Sequence, residues 1–174
     1  KVLAGRGVTE GRELDHFFYP SLDQLYDPFL LVEMDVAVER MYQAARDGER
    51  VAVHGDFDVD GITGSALLFE TVSALEVDGG RVLPEPAFIP DRATDGYGVA
   101  ARMIREWAGN GVTLLVTVDT GTAAIEEITL ARKLGMDVIV LDHHIFEERP
   151  PATALVNPRR DGATYPNNEL CGVA

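Results

Sequence analysis

The chain has 174 residues, about the length of one domain, and 46% of them are hydrophobic, which argues against disorder throughout. It carries 15 Lys and Arg residues against 29 Asp and Glu residues, so its formal net charge is −14. This balance argues against a nucleic-acid-binding surface spread over the whole protein, because such a surface needs clustered cations. It is compatible with a local basic groove and with a protein that gathers cations with its carboxylates.

The sequence contains no sign of a membrane protein. No apolar run approaches the ~20 residues that span a bilayer. Cys171 is the only cysteine, so no internal disulfide can form, and we expect a reducing compartment, the cytoplasm. The chain begins without Met and in mid-pattern, which predicts a fragment of a longer protein.

The first 30 residues are predicted to form an irregular N-terminal arm, which two prolines interrupt. Five apolar side chains of this arm are expected to pack on the body of the protein: Leu14, Phe17, Phe18, Leu22 and Leu25. A helix is predicted after Leu31, because apolar residues recur at helical spacing from Met34 to Ala45. Gly48 is a natural stop for that helix.

Beyond this helix, a short apolar run, a polar elbow and a helix recur along the chain. The predicted strands are 51–53, 114–118, 138–141 and 154–156, with 82–90 as a further strand and 101–107 as a further helix. Short apolar strands that alternate with helices are typical of a parallel sheet covered on both faces. The predicted fold class is therefore α/β, with a mainly parallel sheet and helices on both faces.

Three of the predicted strands end in polar clusters, at residues 54–60, at Asp119 and at residues 142–144. All three clusters lie at the carboxyl ends of their strands. In open parallel sheets, ligands bind in the crevice at those ends. The sheet is therefore expected to bring together side chains that are far apart in the sequence.

The densest cluster is HGDFDVDG, residues 54–61. So many carboxylates would repel one another unless a divalent cation binds, and carboxylate and imidazole ligands suit Mn²⁺ or a similar ion. In an extended chain Asp56, Asp58 and Asp60 would point to one site, while the residues between them would face the core. Gly61 would allow a tight approach to the next helix. The alternative is an acidic turn that caps the following helix.

Two further motifs follow strands directly. In VDTG, residues 118–121, Asp119 is a candidate ligand, although a lone Asp at this place is often a helix cap. In Asp142-His143-His144, one histidine could bind a metal while its neighbour faces the substrate, and Asp142 could orient an imidazole. The alternative is a polar loop with exposed histidines.

The fourth motif is IPDRATDGYG, residues 89–98, in which two glycines mark a turn. Arg92 in this motif could grip a phosphate through two parallel hydrogen bonds. The alternative is a solvated loop arginine.

These four motifs, in this order, resemble those of the DHH phosphoesterase superfamily, and within it the RecJ family of single-strand-specific 5′→3′ DNA exonucleases. Segments 5–12 and 27–50, Asn157-Pro158 and the closing Leu-Cys-Gly-Val-Ala extend the resemblance along essentially the whole chain. The resemblance implies a DHH phosphoesterase-like domain over residues 31–174, truncated at its C-terminal end. The family carries a further Asp ligand and further domains beyond that point.

The resemblance implies a centre of two divalent cations, Mn²⁺ or Mg²⁺. By position, His54 and Asp58 resemble the ligands of one ion, and Asp60 and His143 resemble those of the second. Asp119 resembles the carboxylate that bridges the two ions and is expected to be catalytic.

The remaining residues of the motifs have roles implied by the same resemblance. His144 resembles the catalytic histidine that contacts the scissile phosphate. Arg92 and Tyr97 resemble the side of the site that binds the substrate phosphate. Asp56 and Asp142 are expected to lie behind the ligands and to orient them.

The implied activity is metal-dependent hydrolysis of phosphodiesters in single-stranded DNA, from the 5′ end, in DNA repair and recombination. The expected partners are single-stranded DNA and, by family resemblance, a single-strand-binding protein or a helicase. One alternative is a DHH phosphodiesterase that acts on short oligonucleotides or cyclic dinucleotides, and another is a non-catalytic DHH scaffold. The segment alone is expected to be weakly active or inactive.

Overall fold

A computed structural model describes residues 1–9 and 11–174 of the chain. The strands are β1 (Arg50–His54), β2 (Glu76–Val77), β3 (Gly80–Arg81), β4 (Leu83–Pro84), β5 (Val112–Val118), β6 (Asp137–Leu141) and β7 (Ala154–Val156). The α-helices are α1 (Arg12–Phe18), α2 (Met34–Asp47), α3 (Val59–Ala74), α4 (Ala101–Gly109) and α5 (Ile125–Lys133). Short 3₁₀ turns lie at Ala4–Arg6, Leu22–Gln24 and Pro28–Leu30. None of the helices in the described part of the chain is long and apolar enough to cross a membrane.

Five strands form one parallel sheet in the order β4-β1-β5-β6-β7, and β2 and β3 form a separate antiparallel hairpin. The predicted α/β class with a parallel sheet is confirmed. Segment 82–90 contributes a shorter strand than predicted, because Pro84 and Pro86 lack the N–H groups that a longer ladder needs. Phe88 adds one isolated bridge to the end of β1.

Helices cover both faces of the sheet, because successive side chains of each strand point to opposite sides. On β5, Leu114 and Val116 belong to a buried cluster with apolar residues of α2 and α3. Leu115, between them, belongs to a second cluster with apolar residues of α4 and α5. The strands are thus buried on both faces, which explains why they read as continuous apolar runs.

The outer edge of β7 is closed by side chains and not by another strand. Glu33 accepts a hydrogen bond of 2.7 Å from the Leu155 amide, and Arg160 donates one of 2.8 Å to the Leu155 carbonyl. Arg149 and Arg160 both pair with Glu33, at 2.9 Å. Burial alone would raise the pKa of Glu33, but the Leu155 amide and the two arginines outweigh it and lower that pKa. The N–H and C=O groups of Leu155, which an exposed strand edge would offer to another chain, are therefore bonded within this protein.

The N-terminal arm differs from the prediction in two respects. It contains α1, and four of its five apolar side chains, all except Leu14, are exposed, with Phe17 60% and Leu22 83% exposed. The prediction that these side chains pack on the body is therefore wrong. Helices α2 to α5 cover both faces of the sheet without a contribution from these side chains. It touches the body through Tyr26, whose ring lies 5.8 Å from that of Tyr165.

Candidate metal centre

The carboxyl edge of the sheet brings together the three polar clusters found in the sequence. Asp56 lies just after β1, Asp119 directly after β5, and His143 two residues after β6. Ligand atoms of Asp56, Asp58 and Asp119 all lie within 4.8 Å of one another. A second group of side chains, which shares Asp119, satisfies the same limit with His143 and His144.

The turn between β1 and α3 does not have the extended geometry that the alternating aspartates predicted. Asp58 caps α3, because its side chain accepts hydrogen bonds from the amides of Asp60 (2.9 Å) and Gly61 (3.0 Å). The chain turns into the helix at Val59, which is 77% exposed and not in the core. The capping turn and the acidic cluster, considered as alternatives, therefore occur together.

Gly61 holds this turn close to the helix. A Cβ atom added at Gly61 would lie 2.5 Å from the backbone nitrogen of Asp56, so a side chain would push the turn away. The tight approach predicted at this glycine is confirmed. The close packing keeps the Asp56 carboxylate near that of Asp119.

Asp119 is the most perturbed carboxyl group of the site. Its backbone has a φ of 59°, in the left-handed region that residues other than glycine rarely adopt. It is 2% exposed. Burial, together with the negative charges of Asp60 and Asp58, raises the pKa of Asp119 to about 7. The charge of His144 lowers the pKa of Asp119 but does not outweigh burial and the neighbouring carboxylates.

One buried carboxylate oxygen of the site is available to a cation. Oδ1 of Asp56 has no hydrogen-bond partner among the described residues. Nε2 of His143 lies 3.0 Å from Oδ1 of Asp119 and 3.6 Å from Oδ2 of Asp60. Carboxylate oxygens with one imidazole form a donor set that Mn²⁺ accepts. The residues present therefore fit a divalent metal ion.

His54 belongs to neither group of clustered ligand atoms. Its Nε2 accepts a hydrogen bond of 3.0 Å from the Ala100 amide, and its ring packs against Phe88 and Trp107. Burial lowers the pKa of His54 to about 4, so the ring is neutral at physiological pH. Nδ1 of His54 is buried and has no hydrogen-bond partner among the described residues. The cluster of carboxylate oxygens contains Asp56 with Asp58 and Asp119, and His54 is not part of it.

Asp142 fixes the orientation of His144. Its Oδ1 lies 2.7 Å from Nδ1 of His144, and its Oδ2 accepts from the hydroxyl and the amide of Thr122, at 2.7 and 3.0 Å. Burial alone would raise the pKa of Asp142, but these hydrogen bonds outweigh it and lower that pKa. Burial alone would lower the pKa of His144, but the hydrogen bond and the charge of Asp142 outweigh it, so that pKa is raised.

Arg92 and Tyr97 both pack against Phe57. The Arg92 guanidinium lies 5.3 Å from the centre of the Phe57 ring, and the Tyr97 ring meets the same ring edge-on at 6.0 Å. Tyr97 is 72% exposed. Burial and the charge of Asp56 raise the pKa of its phenol. The alternation argument placed Phe57 in the core, whereas it links the two predicted substrate-side residues.

A cavity of about 420 Å³ opens beside His144. Its wall includes Tyr97, Asp142, Glu127 and Ile145, together with residues 120–124 of the turn that follows β5. Sequence reasoning missed Glu127 and Ile145. The first lies within the first turn of α5, where an acidic residue is ordinary, and the second directly follows the DHH motif.

Comparisons with known proteins agree with the motifs. The chain is 37% identical over 175 residues to a Bacillus subtilis (strain 168) protein named single-stranded-DNA-specific exonuclease RecJ, covering 99% of this chain and 21% of that protein. An Escherichia coli (strain K12) protein of the same name is 34% identical, with 99% of this chain and 29% of that protein covered. The chain thus spans less than a third of the length of these relatives.

Solved structures show the same fold. A crystal structure of exonuclease RecJ bound to manganese superposes with a TM-score of 0.67 at 34% identity, covering 83% of this chain and 36% of that chain. The family model described as "DHH family, N-terminal domain" matches residues 50–174. Since this match covers well over half of the sequence, the chain belongs to the DHH family, as its four motifs predict.

Proposed function

We propose that this chain carries the metal centre of an exonuclease that hydrolyses single-stranded DNA from its 5′ end. The observation that carries the proposal is the position of Asp119, which contributes to both groups of clustered ligands. A shared carboxylate suits two cations ~3.5–4 Å apart, the arrangement that clamps an in-line displacement at phosphorus. The names of the relatives, which are single-stranded-DNA-specific exonucleases, support the choice of substrate.

The geometry favours a ligand set that differs at one residue from the set implied by family resemblance. One ion would be held by Asp56, Asp58 and Asp119, and the other by Asp60, Asp119 and His143. Asp56 takes the place of His54, because Asp56 belongs to a group of clustered ligand atoms and His54 does not. We propose Mn²⁺ as the ion, with Mg²⁺ as an alternative that oxygen-rich sites also accept.

When bound, such ions supply a hydroxide nucleophile near neutral pH and neutralise charge on the phosphoryl oxygens. The protein's own contribution includes the orientation of His144. Because Nδ1 of His144 is engaged by Asp142, Nε2 is the nitrogen left to meet a substrate. The raised pKa of His144 favours the imidazolium, which can donate a hydrogen bond to a phosphate oxygen.

The substrate side combines a cation with aromatic rings. Arg92 brings a local positive charge to a chain whose net charge is −14. Phe57 stacks on that guanidinium and so limits its motion, which favours contact with a phosphate. The exposed ring of Tyr97 offers a face on which a base can stack. The adjacent cavity has room for part of a nucleotide.

The same proposal places the protein in the cytoplasm. Single-stranded DNA is its expected partner, and a single-strand-binding protein or a helicase is a further expected partner. The lone Cys171 and the position of the four motifs support this proposal.

The test uses the longer product of the gene with Mn²⁺ on a 5′-labelled single strand, its duplex and a dinucleotide. Release of labelled mononucleotide from the single strand alone is the expected result. The Asp119→Ala variant should lose this activity. Cleavage confined to the dinucleotide would keep the metal centre and move the protein to the short-substrate branch of the family. Wild-type turnover by the variant would contradict the role of Asp119.

A further inference from the structure

We infer that the backbone amides of Gly172 and Val173 position Asp60 for metal binding. The turn at residues 171–174 would then be part of the metal centre, although it supplies no side chain to it. This inference rests on the proposed metal centre and adds positioning residues to it. No motif singled out in the sequence gave these residues a role at the site.

Two consecutive amides hold both oxygens of one carboxylate. The Gly172 amide donates a hydrogen bond of 2.7 Å to Oδ2 of Asp60, and the Val173 amide donates one of 2.7 Å to Oδ1. The turn is itself closed by a hydrogen bond of 3.2 Å from the Ala174 amide to the Cys171 carbonyl. Hydrogen bonds to an ionised acceptor are short and are among the stronger ones in proteins.

The two hydrogen bonds fix a carboxylate that would otherwise rotate. Asp60 lies in the first turn of α3, and its side chain is 21% exposed, so local packing alone leaves it freedom. Each carboxylate oxygen has two lone pairs, so an oxygen that accepts an amide can still bind a cation. Oδ2, which the Gly172 amide holds, is also the oxygen that lies 3.6 Å from Nε2 of His143. The amide pair therefore aims Asp60 at the proposed second ion.

Gly172 also lies against Asp119. A Cβ atom added at Gly172 would lie 2.6 Å from Cβ of Asp119 and 2.9 Å from its Oδ1. Real Cβ atoms essentially never approach so closely, so a side chain at this position must displace Asp119 or the turn. The same residue thus contacts the proposed bridging carboxylate and donates to the carboxylate beside it. This double contact is why we assign the turn to the metal centre.

A purely structural role would have a different signature. The turn also borders an apolar groove with Leu67, Leu68 and Val118, and it could serve only to close that groove. Loss of such a role would lower stability and leave the metal affinity of the folded protein unchanged. Loss of a positioning role lowers the metal affinity itself, since changes behind metal ligands typically cost about 10–100-fold in affinity.

The test compares Mn²⁺ binding of the full chain and two variants by calorimetry. Gly172→Ala is expected to bind Mn²⁺ at least ~10-fold more weakly. Gly109→Ala is the matched control, because a Cβ atom there meets nothing within 4 Å, and it should bind like the wild type. The melting temperature of each protein in EDTA reports the structural effect separately.

A second measurement on the wild-type chain does not depend on a variant that folds. In amide NMR spectra, small additions of Mn²⁺ should broaden the Gly172 and Val173 signals well before that of Gly109. The inference is overturned if the two signals persist, or if a folded Gly172→Ala variant binds Mn²⁺ like the wild type. Lack of Mn²⁺ binding by the wild type would overturn the metal centre as well. Lack of nuclease activity in a protein whose Mn²⁺ affinity depends on Gly172 would overturn the proposed function alone.

Discussion

Nε2 of His143 lies 3.0 Å from Oδ1 of Asp119, although 24 residues separate the two in the chain. The parallel sheet causes this approach, because β5 and β6 are neighbours and each residue follows the carboxyl end of its strand. The same edge also crowds Asp119 with Asp58 and Asp60, which raises its pKa to about 7. A carboxyl group whose ionised form is unfavourable in the metal-free protein therefore indicates a functional site.

Replacing Asp119 by Asn should stabilise the metal-free protein. The folded pKa of Asp119 is about 7 against an ordinary value of 3.8, so its contribution to stability is lost as the pH rises through that interval. The gain in the free energy of unfolding should be on the order of 1–3 kcal/mol at pH 8 and smaller at pH 5. Denaturant titrations in EDTA at both pH values measure it.

The matched control for that change is Asp23→Asn, at an exposed position of the arm, which should not alter stability. A gain from Asp119→Asn that is equal at pH 5 and pH 8 would contradict the assigned pKa. A loss of stability at both values would contradict the crowding of the carboxylates.

Asp56 should matter more for metal binding than His54. Asp56→Asn removes a carboxylate from the first ligand group, and Mn²⁺ affinity should fall at least ~10-fold. His54→Gln removes the buried ring but keeps an acceptor for the Ala100 amide. This variant should therefore lose stability, while its Mn²⁺ affinity should change little. Calorimetry on the two variants gives the answer, and the reverse order of effects would restore His54 as the ligand.

Asp142 should control the protonation of His144. Asp142→Asn removes the charge and weakens the hydrogen bond that raise the pKa of His144, so that pKa should fall. Histidine NMR titration in EDTA measures this shift. Asp161→Asn, a change at an exposed loop carboxylate, serves as the control. An unchanged titration of His144 in Asp142→Asn would show that the pair does not act as the geometry indicates.

Glu33 should stabilise the outer edge of the sheet. Glu33→Gln weakens the ion pairs with Arg149 and Arg160 and the bond from Leu155, which should cost about 1–3 kcal/mol in urea unfolding. Because the folded pKa of Glu33 is lowered, this contribution is present above its ordinary value of 4.5 and is lost as the pH falls below it.

Glu39→Gln is the control for the Glu33 variant. It breaks a solvent-exposed ion pair with Arg46, which should contribute less than ~1 kcal/mol. Equal losses in the two variants would mean that the edge of β7 does not depend on Glu33.

Much of the fold could be predicted from the sequence, because strands buried on both faces read as short apolar runs. β5 and β6 are such runs, and a polar residue follows each of them. The exposure of the arm could not be predicted, because the type of a side chain does not reveal whether the folded protein provides a surface on which it can pack. Phe17 is mostly exposed, while helices of the body cover both faces of the sheet.

The candidate site could be predicted as a region, but the exact set of clustered side chains could not. Spacing does not reveal that Asp58 caps α3 and so turns the chain before Asp60. It also does not reveal that the Ala100 amide, 46 residues away, engages His54. Both outcomes depend on tertiary contacts, which a local pattern does not contain.

The most direct test of the proposed centre is a Mn²⁺ titration of the longer gene product, followed by electron paramagnetic resonance, on the wild type and on Asp119→Asn. If Asp119 bridges two ions, the wild type should bind two Mn²⁺ per chain with spectra that show magnetic coupling between them. The variant should lose that coupling and bind both ions more weakly. Two uncoupled ions in the wild type, or coupled ions that persist in Asp119→Asn, would contradict the shared carboxylate on which the proposed function depends.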